Sequence, residues 1–164
     1  MKYVTIIGSR SITVQEENIL KEIAQKYHNL GYILRSGGAN GADSIVNEFE
    51  NKEIYIPWNG FNNFEHNGES VFELSRIPGS LDAIRAARRV HPAPHKLTMA
   101  SEKLHGRNYF QVFGQNGIAS ELVLFVADEV DGEVCGGTRT AVTLAREAGI
   151  ETINLRKSSD KNKK

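Results

Sequence analysis

Short apolar runs alternate with segments of helical spacing, and few folds accept that order. Residues 3–7, YVTII, form a β-branched apolar run that ends at Gly8-Ser9-Arg10, the pattern of a buried central strand followed by a glycine turn. From 14 to 30, Ile19, Leu20, Ile23, Ala24, Tyr27 and Leu30 recur at helical spacing, with Gly31 as a C-cap. Residues 32–34 begin a second strand, SGGANGAD (36–43) comes directly after it, and 42–49 reads as a helix with Ile45, Val46 and Phe49 on one side. EIYI (53–56) makes a third strand that Pro57 ends. The rhythm resumes with LVLFV at 122–126, CGGT at 135–138, a helix over 138–148 stopped by Gly149, and a fifth strand, TINL, at 152–155. Strand, helix, strand in repetition predicts an α/β fold: an open parallel sheet with right-handed crossovers and helices on both faces.

Residues 58–96 break the rhythm. They carry WNGFNNFEHNG, a predicted helix at 81–89 and HPAPH at 91–95, too long for an ordinary connection. The wider segment 57–107 is expected to be an insertion that lies over one end of the sheet as a lid. The expected organisation is one domain over 1–156 and a flexible polar tail over 157–164, RKSSDKNKK being its surroundings. A chain of 164 residues is long enough to bury a real core. Twenty basic side chains balance twenty acidic ones, so no net charge draws the chain to nucleic acid or a membrane surface. The single cysteine, Cys135, excludes an internal disulfide and a thiol-based zinc site, and it fits a reducing cytoplasm. MKYVTIIGSR lacks a signal-peptide h-region, and no apolar run approaches the roughly 20 residues of a membrane span. A cytoplasmic protein with no membrane partner is expected.

In an open parallel sheet, ligands bind beyond the carboxyl ends of the strands. Three small-residue turns follow strands here: Gly8-Ser9-Arg10, Ser36 to Asp43, and Gly136-Gly137-Thr138. The last two also open helices, whose free N–H groups and partial positive charge favour phosphate. Arg10 adds a guanidinium fork. No Gly-Lys-Ser/Thr follows the glycines, so this is not a Walker A loop, and the first turn lacks the dinucleotide pattern G-x-G-x-x-G. Asp43 is expected near a helix start, either as a cap or as an acceptor for a ribose or base.

Taken together, IIGSR, SGGANGAD, GRN (106–108) and GGTRTAVTLAREAGI (136–150) resemble the SLOG superfamily, which joins the Smf/DprA DNA-processing proteins to the LOG nucleotide phosphoribohydrolases. IPWNGFN (56–62), HPAPHKL (91–97) and KLHGRNYFQVFG (103–114) are similar to small stand-alone DprA-like members of bacteria and tailed phages. The resemblance implies a Rossmann-like sheet whose turns hold a nucleotide or nucleotide-derived small molecule, and a homo-oligomer. By position it implies ligand contacts from Gly8, Ser9 and Arg10; from Ser36, Gly37, Gly38 and Asp43; from Arg107 and Asn108; and from Gly136, Gly137 and Thr138. Of the Arg-Asn pair, Arg107 suits a phosphate and Asn108 a base edge.

The chain departs from the LOG hydrolases in one respect. Their Pro-Gly-Gly-x-Gly-Thr-x-x-Glu supplies a glutamate for cleaving the N-glycosidic bond, whereas VCGGTRTAV has Thr140 and Ala141 about where the acid belongs. Asp43 and Glu121 are the substitute carboxylates considered, followed by Asp128, Glu65, Glu69 and Glu73. The leading expectation is a binding protein that senses or sequesters a nucleotide. The alternatives are an N-glycosidase acting on a nucleoside monophosphate and DprA-like single-stranded DNA binding. No cofactor and no metal is expected: His91-x-x-x-His95 has ligand spacing, but Pro92 and Pro94 forbid the helix that would align it. Trp58, Phe61 and Phe64 either stack on a base or anchor the insertion. Arg85, Arg88 and Arg89 form a solvated face, a phosphate wall or an oligomer interface, and Cys135 stands at the mouth of the last glycine turn.

Overall fold

The computed structural model describes residues 1–156; the tail expected at 157–164 lies outside the described residues. Six strands form one sheet: β1 (Tyr3–Gly8), β2 (Ile33–Ser36), β3 (Lys52–Ile56), β4 (Val71–Glu73), β5 (Leu122–Val126) and β8 (Glu151–Asn154). Their order is β4-β3-β2-β1-β5-β8, and every neighbouring pair is parallel. A small antiparallel hairpin, β6 (Glu129–Val130) with β7 (Glu133–Val134), stands apart from the sheet. The arrangement is α/β and Rossmann-like. Successive strands step outward from β1 on one side, and β5 starts the other side, so the topological switch lies between β1 and β5.

Side chains alternate across the central strands as a two-sided buried sheet requires. Val4, Ile6, Leu122, Leu124 and Val126 face one core with Leu20 and Ala24 of α1 (Val14–Asn29) and with Ile45 and Val46. Ile7, Val123 and Phe125 face the opposite core with Ala141, Val142 and Ala145 of α4 (Arg139–Glu147) and Val112 of α3 (Met99–Phe113). A third cluster joins Tyr55, Phe72 and Phe110 to Ala83 of α2 (Ser80–Val90). Thr13 caps α1 in a full capping box with Glu16.

Three sequence expectations are corrected. The segment after SGGANGAD is a 3₁₀ helix, Gly41–Glu48, not an α-helix. The 57–107 segment does more than cover the sheet. It supplies edge strand β4, helix α2 and most of α3, and those helices pack on the β3–β5 face. Gly106, in mid-helix, allows their close approach, since a Cβ there would meet Ile84 Cγ1 at 2.7 Å. Of the readings for the α2 arginines the solvated face holds and the phosphate wall is corrected, because Arg85 pairs with Asp82, Arg88 with Glu102 and Arg89 with Glu147, all at the surface.

Beneath α3 lies a buried polar cluster. Arg35 is fully enclosed, with its Nε 2.9 Å from Glu53 Oε1 and its guanidinium 3.7 Å above the Tyr3 ring. Arg35 also donates to Val112 O and Ser120 Oγ, and Tyr55 OH donates to Glu53 at 2.7 Å. A buried charge needs such company to be tolerated.

Candidate functional site

The carboxyl ends of β1 and β5 part at the switch point and leave a cavity of about 430 Å³. Gly8, Ser9 and Arg10 continue β1 into it; Ala127 and Asp128 continue β5. Gly136, Gly137 and Thr138 bring in the start of α4. One face of α3 closes the wall: Leu104, Arg107, Asn108 and Gln111 stand at i, i+3, i+4 and i+7. Ala39, Asp43, Cys135, His105 and Arg156 complete the lining.

Asp43 is the fulcrum of this arrangement. Its Oδ1 accepts from Gly8 N–H at 3.1 Å and its Oδ2 from Gly37 N–H at 3.0 Å, so one carboxylate ties the turns after β1 and β2 together. Burial pushes its pKa up, against the opposing pull of Arg107 and of the Gly8, Gly37 and Ala39 N–H groups. Arg107 is buried beside it. Its Nη1 donates to the Gly37 carbonyl and, at 3.0 Å, to the Tyr55 carbonyl, while its Nε donates to Asn108 Oδ1 at 2.8 Å. Desolvation lowers its pKa to about 10; Asp43 raises it and the nearby Arg10 cation lowers it further. Asn108 in turn donates from Nδ2 to the Gly137 carbonyl at 2.8 Å. The Arg-Asn pair thus braces the cavity rather than standing free in it: both ends of the Asn108 amide are used by the protein.

The remaining expectations divide. Gly8, Ser9, Arg10, Asp43, Arg107, Asn108, Gly136, Gly137 and Thr138 meet around the cavity. Ser36, Gly37 and Gly38 do not line it. Ser36 is buried with an unpartnered Oγ, and Gly38 packs under Phe64 and Ile54. A Cβ at Gly37 would collide with Gln111 Nε2 and lie 2.8 Å from both Arg107 Nη1 and Asp43 Oδ2. That glycine serves the protein's own bracing. Glu121 is a clear correction: it precedes β5 at the amino ends of the strands, where its carboxylate accepts from Tyr32 OH. Glu73 is buried and accepts from Ser75, and Glu65 and Glu69 are exposed outside the lining. Phe61 and Phe64 anchor the 57–68 loop on Ile54, Ile56 and Val71. Of the carboxylates considered, Asp128 lines the cavity with its side chain 71% exposed.

Four lining residues escaped the sequence reading. Gln111 lies one helical turn beyond Arg107, a spacing that would have exposed it had α3 been recognised. Arg156, the last residue of the expected domain, grips Glu16 with Nε at 2.8 Å and Nη2 at 3.0 Å, and donates to Ser11 O at 2.8 Å and to Asp128 at 3.3 Å. It therefore ties β8, the start of α1 and the turn after β1. His105 rests its Nδ1 2.8 Å from Thr140 Oγ1 and its ring 4.8 Å from that of His91. Burial, then the His91 and Arg107 charges, push its pKa down to about 4. Leu104 gave no signal beyond its helical position.

Arg10 differs from these. It is exposed, it lines the cavity, and no ion pair or hydrogen bond engages its guanidinium among the described residues. The start of α4 lines the same cavity: Thr138 provides no side-chain cap, and Arg139 N–H turns back to the Gly136 carbonyl at 3.2 Å. A Cβ at Gly137 would meet nothing within 4 Å, and its φ lies outside the left-handed range.

The fold and the site define an α/β protein with a Rossmann-like sheet and a polar cavity at its switch point. No protein-family model and no curated protein sequence matches the chain. Among solved structures it is similar to the DNA processing protein A of Helicobacter pylori, described for its single-stranded DNA binding mode. The TM-score is 0.42 and the identity 14%, over 96% of this chain and 77% of that one. Likeness of that degree concerns the course of the backbone and carries nothing to the site. Among the described residues, no helix is long and apolar enough to cross a membrane.

Proposed function

We propose that the chain binds a nucleotide or a nucleotide-derived small molecule in the switch-point cavity, as a sensor or a sequestering protein. The observation that carries this reading is Arg10: a guanidinium at the cavity with no partner among the described residues, whose positive charge also acts on Arg107. The start of α4, which has no side-chain cap, adds partial positive charge to the same cavity. An anion at Arg10 offsets its repulsion with Arg107 and takes up guanidinium donors that are free among the described residues. Gln111, with no side-chain hydrogen bond among the described residues, offers an amide to a base or sugar.

The test is a mass spectrum of small molecules released when the purified protein is denatured, with calorimetric titration of a nucleoside mono- and diphosphate panel. Binding of at least one nucleotide that Arg10→Ala weakens supports the reading. Equal behaviour of parent and variant across the panel refutes it. Asp128, an accessible carboxylate in the same cavity, favours a second reading as an N-glycosidase. Free base and sugar phosphate appearing in the panel by chromatography would establish it.

A further inference from the structure

A second cavity of about 410 Å³ adjoins the first and shares His105, Cys135 and Gly136 with it. Each falls within the range of about 300–1,000 Å³ typical of small-molecule pockets. The β6–β7 hairpin forms one side of the second cavity through Val130, Glu133 and Val134, and His91 and Arg139 form the other. Gly136 stands at the join, immediately before the Gly137-Thr138 start of α4 where the phosphate is placed above. A Cβ at Gly136 would meet nothing within 4 Å, so open space lies beside this shared lining residue.

The polar groups of this lobe are mixed in character. His91 Nδ1 accepts from Ala93 N–H at 3.0 Å, which leaves its Nε2 as a donor. Arg139 spends Nη2 on Glu133 at 2.8 Å, while its Nε is buried with no acceptor. Glu133, 60% exposed, is an acceptor at the same wall. A second phosphate here would face the Glu133 carboxylate, and an apolar group would leave the His91 imidazole N–H and the Arg139–Glu133 pair unmatched. Hydroxyls, which both donate and accept, match the set.

We propose that the second lobe receives a hydroxyl-bearing, sugar-like group joined to the nucleotide beyond its phosphate, so that the ligand has the chemistry of a nucleoside diphosphate sugar. The inference rests on the nucleotide reading and extends it past Gly136.

The experiment compares, by calorimetry on the full chain, the diphosphates and the diphosphate glucoses of adenosine, guanosine and uridine. For the preferred base, the sugar-bearing ligand is expected to bind at least about tenfold more tightly than the plain diphosphate. His91→Ala and Glu133→Gln are each expected to erase most of that gain while changing affinity for the diphosphate less than about twofold. Equal affinity for a diphosphate and its glucose derivative overturns this proposal and leaves the nucleotide reading standing. A gain that survives both substitutions, or variants that weaken both ligands alike, also overturns it. Failure of every nucleotide to bind overturns both readings together.

Discussion

Replacing Gly137 by alanine separates the protein's needs from its ligand's. The added Cβ enters open space, and the backbone φ is one alanine accepts. Removing a glycine at such a site restricts the unfolded chain and stabilises by about 0.4–1 kcal/mol. For a domain of this size that raises Tm by about 1–4 °C. The same methyl occupies space at the cavity lining, beside the start of α4, where the phosphate belongs under the proposed function. Nucleotide affinity should therefore fall about tenfold or more, equivalent to about 1.4 kcal/mol. Gly37→Ala provides the contrast. Its Cβ is driven against Gln111 Nε2 and to 2.8 Å from Arg107 and Asp43 atoms that cannot retreat without breaking the Asp43 bracket. Overpacking of this kind costs about 1–3 kcal/mol, and Tm should drop. Scanning fluorimetry gives the two Tm values, and calorimetry with the nucleotide identified by the panel gives the affinities. A Gly137→Ala protein that binds as tightly as the parent would refute the assignment of that open space to a ligand. One that melts as low as Gly37→Ala would refute the packing argument itself.

Arg10→Ala should leave Tm nearly unchanged, since the side chain is exposed and unpaired. It should weaken phosphate-bearing ligands by the about 1.5–3 kcal/mol of a charge-assisted hydrogen bond, read by calorimetry. Glu53→Ala strands the enclosed Arg35 guanidinium and should cost about 3–5 kcal/mol in urea unfolding. Arg35 sits outside the cavity lining, so any variant that still folds should retain ligand affinity. His105, held down to about 4, binds a proton less readily in the folded state than in the unfolded chain. Its contribution to stability is complete above the ordinary histidine pKa of about 6.5 and is lost as pH falls toward 4. His105→Asn should flatten the decline in Tm across that window, and an unchanged slope would show that other groups govern it.

The central fold was legible because its strands are continuous apolar runs closed by glycine turns. β5 falls on LVLFV without a shift, and α1 and α4 end within a residue or two of their apolar spacing. β4 was not legible: three residues carry no period, and only pairing with β3 makes Val71–Glu73 a strand. α3 was hidden for a different reason. The face it turns to the cavity is Arg107, Asn108 and Gln111, buried polar groups where a pattern reading looks for apolar ones, and Gly106 interrupts it with a residue unfavourable in helices. Buried polarity of this kind is tolerated only because partners from Gly37, Tyr55 and Gly137 arrive from distant parts of the chain.

The glycine turns were visible as turns, but their purposes were not, since those depend on neighbours that only the fold supplies. In SGGANGAD, Gly37 exists so that its backbone can meet Arg107, Gln111 and the buried Asp43 carboxylate with no side chain in the way. In CGGT, neither Gly136 nor Gly137 has a neighbour that its missing side chain makes room for. The two glycine clusters are therefore not equivalent walls of one pocket. The first is a brace at the switch point that fixes the turns after β1 and β2 through Asp43. The second is the surface left open to whatever the cavity holds. It follows that Gly37→Ala should alter stability and binding together, while Gly137→Ala should alter binding with no loss of stability; Gly136, with φ +81°, is open in space but admits a side chain only at a backbone cost.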